Sequence, residues 1–219
     1  MSGCGCSAEF DGASTPYKRA LMAVIAINAA MFFVEFGAGW VAESQALQAD
    51  ALDFLGDTAT YSISLLVIGM PLVWRARAAL VKGVALAAMG FWVLASTLYH
   101  VVTSGEPQAA VMGVVGLAAL ASNLTSVLLL LKYRDGDANV RSVWLCSRND
   151  AIGNVAVILA ASGVWATQSA LPDLIVAGLM ASLFLWSASQ IVRQAFSEMR
   201  SSGSAGAAHA VAIATSDGR

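Results

Sequence analysis

The sequence predicts an all-α integral membrane protein with six transmembrane helices and both termini in the cytoplasm, and three observations carry that expectation. The chain is 58% hydrophobic and only 12% charged, with a mean hydropathy of +0.71, which no ordinary soluble domain matches. Residues 18–195 divide into six apolar stretches, each long enough as a helix to cross a hydrocarbon core of about 30 Å. In a six-span arrangement Lys18, Arg19, Arg75, Arg77, Lys82, Lys132, Arg134, Arg141, Arg193 and Arg200 fall on one side, and the opposite loops hold only Glu43, Glu106 and Asp173. Under the positive-inside rule that asymmetry puts both ends in the cytoplasm.

Residues 1–17 are polar, rich in Gly and Ser and too short to bury a core, so they read as a disordered cytoplasmic tail. The spans follow at Ala20 to Val41, Leu47 to Met70, Ala78 to Thr103, Gln108 to Leu131, Val140 to Thr167 and Leu174 to Arg193. Turn and polar residues join them: Glu43-Ser44, Pro71 to Arg77, Gly105 to Pro107, Lys132 to Asp137, and Gln168 to Asp173. Residues 196–219 become mostly Ser, Gly and Ala from Ser201 onward and read as a second disordered cytoplasmic tail. Small residues are common in the spans, for example Gly83, Ala87 and Gly90 in the third and Ala177, Ala181 and Ala188 in the sixth, and allow close helix packing.

The remaining composition excludes several classes. No basic run is longer than Lys18-Arg19, so no nucleic-acid partner is expected and the surrounding partner is membrane lipid. Cys4, Cys6 and Cys146 make an odd set with no disulfide framework and read as free thiols. Glu9 and Asp11 precede the first basic pair, which does not suit a cleaved signal peptide. Cys4-Gly5-Cys6 is either a cytosolic trap for soft ions or an accidental pair in the tail.

The chemistry is concentrated in the second span. Asp50, Asp53 and Asp57 are spaced i, i+3, i+7, so all three lie on one helix face inside a segment apolar enough to cross a membrane. Carboxylates in hydrocarbon are costly, and three of them point to a buried hydrophilic site for a cation. The groups in other spans able to meet them are Glu35, His100, Asn123, Cys146, Arg148, Asp150 and Asn154. Asp57 and Asp150 each lie about ten residues into their spans, roughly 15 Å deep at 1.5 Å per residue, near mid-core.

Two antiparallel registers of the second and fifth spans are open. In one, Asp57 is level with Asp150 and Asp53 with Asn154; in the other, Asp53 is level with Asp150 and Asp57 with Cys146. The second offers two pairs spaced four residues apart, surrounding one point as tetrahedral zinc prefers. A thiolate among carboxylates suits a borderline divalent ion, whereas an all-oxygen set leans toward manganese or iron. Cys146 is either that ligand or a small packing residue. Arg148 lies about 160° around the helix from Cys146 and Asp150, and is expected to reach for the cytoplasmic side or to pair with another acid. His100 reads as interfacial packing.

The run SQALQADALDFLGDTATYSISLL resembles the second transmembrane helix of the cation diffusion facilitator family, and VWLCSRNDAIGNVAVILA resembles its fifth. The resemblance implies metal ligation by Asp53, Asp57 and Asp150, with Cys146 where the family usually has His or Asp. If Cys146 does not ligate, Ser147, Asn149, Asn154 or water would complete the shell. Asp50 matches the family's Ala-Asp pair, and Glu35 an acid often present in the first helix; with Asn154, Cys4 and Cys6 these are accessory candidates. Members usually end in a cytoplasmic ferredoxin-like domain, whereas only a short polar tail follows the sixth span here. The His-rich loop of zinc-specific relatives is also absent between Lys132 and Arg141.

The expected function is efflux of a divalent metal, zinc first and cadmium, cobalt, manganese or iron after it, by proton antiport with alternating access. The protein is expected to be a secondary transporter rather than an enzyme, to have no resident cofactor, to form a homodimer and to lie in a bacterial inner membrane. The alternatives are a metal sensor or assembly partner that does not transport, and a passive cation channel.

Overall fold

The computed structural model describes residues 14–66, 72–103, 105–135 and 138–216. Six α-helices account for nearly all of them: α1 (Thr15–Val41), α2 (Gln45–Leu66), α3 (Leu72–Thr103), α4 (Ala109–Leu130), α5 (Ala138–Thr167) and α6 (Leu171–Ser216), with a 3-10 turn at Leu131–Tyr133. No strand occurs among the described residues. Five of the helices contain stretches long and apolar enough to cross a membrane. The one left out is α2, long enough at 22 residues but carrying Asp50, Asp53 and Asp57.

Helix boundaries follow local chemistry. Ser14 caps α1, its hydroxyl accepting from the Tyr17 amide at 3.4 Å, and Pro16 sits in the first turn, where its missing N–H is no loss. At the far end Glu43 adopts φ 54°, and the Ser44 amide returns to the Gly39 carbonyl at 3.0 Å, which closes α1 and reverses the chain into α2. Helix α6 starts earlier than expected, with Pro172 and Asp173 in its first turn. It also runs to Ser216, through the Ser, Gly and Ala run expected to be disordered; that run contains no proline and is rich in alanine, so nothing local stops the helix.

The helices sort into a four-helix group, α1, α2, α4 and α5, and a closely packed pair, α3 and α6. Close approach in the pair rests on the small residues expected to permit it. A Cβ at Gly83 would lie 2.7 Å from Val192 and one at Gly90 would lie 2.9 Å from Leu185. Large apolar side chains point outward around the bundle, for example Trp165 at 74% and Phe33 at 73% exposed, as a hydrocarbon surrounding requires.

Inside, two apolar clusters close the ends. Ala42, Leu47, Met112, Val157, Val164 and Phe184 pack near the α1–α2 turn, and Tyr17, Leu21, Val24, Tyr61, Leu130 and Val143 pack near the start of α1. Between them the core is polar: Asn28, Glu35, Asp50, Asn123 and Asn154 are all buried. Such groups inside an apolar bundle are expensive and mark the place to look for function.

Candidate metal-binding site

The site is built by the antiparallel pairing of α2 with α5. Asn154 donates its side-chain N–H to the Asp50 carboxylate at 2.6 Å, and the Tyr61 hydroxyl meets the Val143 carbonyl at 3.5 Å and the Ser147 hydroxyl at 3.3 Å. These contacts choose between the two registers. Asn154 pairs with Asp50 rather than Asp53, which makes Asp53 level with Asp150 and Asp57 with Cys146.

Asp150 then faces both Asp53 and Asp57 at hydrogen-bonding range. One oxygen of Asp150 is buried without any donor. Cys146, a free thiol, lies beside Asp57 and Asp53 and also packs against the apolar cluster around Tyr61. The four groups face one another without closing on a point: among the described residues, no three His, Cys, Asp or Glu side chains form a ready coordination shell. All four lie on the facing surfaces of α2 and α5.

Other candidates are sorted by the same geometry. Asp50 and Glu35 lie against each other one turn away, toward the α1–α2 turn, and Asn154 belongs with them. Asn123 supports Asn154, donating to its carbonyl oxygen at 2.9 Å. Ser147 is buried against Tyr61, whereas Asn149 is exposed and does not reach the site. His100 bonds the Ser96 carbonyl at 2.8 Å and stacks edge-on with Tyr99, far from the acids along α3. Cys4 and Cys6 lie outside the described residues.

Of the two expectations for Arg148, the structure leaves aside the acid partner. Arg148 pairs with no acid among the described residues: its guanidinium lies over the Trp144 ring at 5.4 Å and donates to Asn149 at 3.3 Å. Its position on the far side of α5 leaves the i−4 aromatic as the nearest partner.

Sequence reasoning missed four residues. Lys82, counted only as a basic residue near one end, faces Asp57 and Cys146 from α3. Tyr61 faces Asp57; its i+4 spacing on the acidic face was the available signal. Asn28 is buried, with neither side-chain polar atom partnered, and is one polar residue in an apolar run. Asp173, taken for a loop acid, is fully buried and caps α2 from another helix. It accepts from the Ser44 hydroxyl at 2.6 Å, the Gln45 amide at 2.8 Å and the Ala46 amide at 3.1 Å.

Against this geometry, comparison with known proteins is decisive at the level of family. The cation efflux transmembrane domain matches residues 75–199, more than half of the chain. The chain belongs to the cation efflux family. A cation efflux protein with apolar helices of this kind is a multi-pass integral membrane protein. The zinc transporter ZitB of Yersinia pestis is 27% identical over 195 residues, covering 83% of this chain and 62% of that protein. The chain therefore spans less than two thirds of the relative's length. A shared stretch that long takes in α2 as well as α5, so the cation efflux match and this relative together span every element that carries the site.

Proposed function

We propose that the protein exports a divalent metal cation, zinc first, from the cytoplasm in exchange for protons, by alternating access to the site between α2 and α5. The observation that carries this reading is the meeting of Asp53, Asp57 and Asp150 with Cys146 in mid-bundle, in a chain of the cation efflux family. Zinc is taken from the name of the Yersinia pestis relative, and the thiol among carboxylates is compatible with it. The bacterial relative likewise supports an inner-membrane location. The one-sided distribution of basic residues supports cytoplasmic termini and puts the α1–α2 turn on the outer face.

The chemistry of the donors supports exchange. Carboxylates in contact repel one another, and either a proton or a metal ion relieves that repulsion. Loading metal expels the proton, and acid on the release side returns it. No covalent step is involved, so the protein is a secondary transporter and not an enzyme.

The test is initial metal flux in proteoliposomes with a panel of divalent ions, at fixed metal gradient and varied pH gradient, with an internal pH dye. Acidity on the release side should speed export, and acidity on the cytoplasmic side should slow loading. Asp57→Ala and Asp150→Ala should each abolish flux while inserting normally, since removing an acid from hydrocarbon eases insertion. Flux retained in either variant removes the proposed site. Flux that ignores the pH gradient, with no proton counter-movement, favours a passive channel, and absence of flux in the unaltered protein favours a sensor or assembly partner.

A further inference from the structure

The proposed transport site accounts for three of the five carboxyls in the polar core and leaves Glu35 and Asp50. Glu35, on α1, is fully buried and neither of its side-chain oxygens meets a donor among the described residues. It lies against Asp50 of α2, with Asp53 beyond. Among the described residues, no Lys, Arg or His acts on either carboxyl. Glu35 is within hydrogen-bonding range of Asp50 alone, another carboxyl, and two carboxyls in the centre of a bundle without a base are an expense that ordinary packing does not explain.

The surroundings of Asp50 are built with a direction. Asn123 on α4 donates to the Asn154 carbonyl oxygen at 2.9 Å. That fixes the Asn154 amide so that its N–H group points at Asp50, to which it donates at 2.6 Å. The relay holds the Asp50 carboxylate in place. It supplies nothing to Glu35, whose two oxygens stand ready on the other side of Asp50. Helices α1, α2, α4 and α5 each contribute one residue to this arrangement.

Depth relates the pair to the transport site. Asp50 precedes Asp53 by three residues, roughly 4.5 Å along the helix axis. Met31 packs with Phe54 in one cluster, and Gly39 approaches Leu47 and Gln48. That α1–α2 register makes Glu35 level with Asp50. A cation leaving Asp53 toward the α1–α2 turn therefore meets this pair next. Charge allows it: five carboxyls and one thiol, when ionised, carry more negative charge than two divalent ions neutralise.

We propose that Glu35 and Asp50, with Asn154 orienting Asp50, form a second divalent-cation subsite one helical turn from the transport site, on the side of the α1–α2 turn. The inference rests on the transport reading, in which this is the release side. Its donors are all oxygen, so it holds hard ions such as manganese at least as readily as zinc, in contrast to the site that includes Cys146. An ion here would bridge Glu35 and Asp50 in place of a shared proton, and its weaker, oxygen-only grip would suit a station before release.

The test is equilibrium binding of Mn²⁺ to the purified full chain, with free Mn²⁺ read from its electron paramagnetic resonance signal. The unaltered protein should bind two ions per chain. Glu35→Gln and Asp50→Asn should each bind one, the double variant Asp57→Asn/Asp150→Asn should also bind one, and adding Glu35→Gln to that double variant should leave none. Glu35→Asp, which keeps the charge on a shorter stem, should keep two with a weaker second step. If Glu35→Gln fails to fold, Asp50→Asn tests the same ion from the other carboxyl. An ion count in Glu35→Gln and Asp50→Asn equal to that of the unaltered protein, whether one or two, overturns the subsite. Loss of an ion in those variants, with none lost in Asp57→Asn/Asp150→Asn, keeps the subsite and removes the transport site instead.

Discussion

Replacing Asp173 by alanine tests how the site helix is held. One buried carboxylate on α6 receives three hydrogen bonds from the start of α2, at 2.6, 2.8 and 3.1 Å, and two of the donors are the Gln45 and Ala46 amides that a helix N-terminus leaves without intrahelical partners. Hydrogen bonds to a charged acceptor are each worth about 1.5–3 kcal/mol, but the three share one carboxylate and Ser44 still caps the Leu47 amide at 3.1 Å. The expected loss for Asp173→Ala is therefore about 3–5 kcal/mol, below the simple sum. Asp173→Asn keeps one carbonyl oxygen as an acceptor and should lose about half as much. The assay is unfolding in mixed micelles by sodium dodecyl sulfate titration, followed by circular dichroism, with metal flux measured on the same variants. A change within about 1 kcal/mol for Asp173→Ala would refute the idea that this carboxylate anchors α2.

Two further outcomes follow from local geometry. Cys146→Asp should keep flux but shift preference from zinc or cadmium toward manganese or iron, because an oxygen replaces sulfur; an unchanged ion profile would leave Cys146 a packing residue. Gly37 and Gly39 form a controlled pair on α1: a Cβ at Gly37 meets nothing within 4 Å, while one at Gly39 meets the Gln48 backbone at 3.0 Å. By the same unfolding assay Gly37→Ala should stabilise by about 0.5–1 kcal/mol and Gly39→Ala should destabilise by about 1–3 kcal/mol; equal effects would show that α1 and α2 do not approach as described.

The parts legible in the sequence are those with a local signal. Long apolar runs bounded by turn residues marked the helices, and the spacing of Gly83 and Gly90 put small residues on one face of the third span without saying which helix packs there. The i, i+3, i+7 acids of α2 announced a polar site for the same reason. The choice of register between α2 and α5 was not legible, because helix ends are uncertain by about a turn and the alternatives differ by about a turn. The long-range contacts of Asn154 with Asp50 and of Tyr61 with Val143 and Ser147 decide it. The role of Asp173 was hidden for a different reason: its partner Ser44 is 129 positions away, and an acid beside a proline near a span end looks like any loop residue. Lys82 was legible as a charge, but which way it faces depends on how α3 lies against α2 and α5.

The same contacts indicate how access to the acids can change. Helix α2 is tied firmly at Gln45 by Asp173, and its other end is tied to α5 through the Tyr61 hydroxyl, at 3.3 and 3.5 Å. Strong, charge-assisted bonds at one end and long neutral ones at the other make the capped end a natural pivot. Tyr61 lies sixteen residues beyond Gln45, about 24 Å along the axis, so a tilt of about 10° would carry it about 4 Å and Asp53 about 2 Å. A metal–oxygen or metal–sulfur bond is about 2.0–2.3 Å long, so that movement is enough to assemble or dismantle a coordination shell at Asp53 and Asp57. Asp50, only five residues from the pivot, would move about 1 Å under the same tilt, and Glu35, on α1, would not be carried with it. In the proposed transport reading, one small rotation would therefore reshape the surroundings of Asp53 and Asp57 more than those of Asp50, a difference that would favour passage of an ion from the first group toward the second.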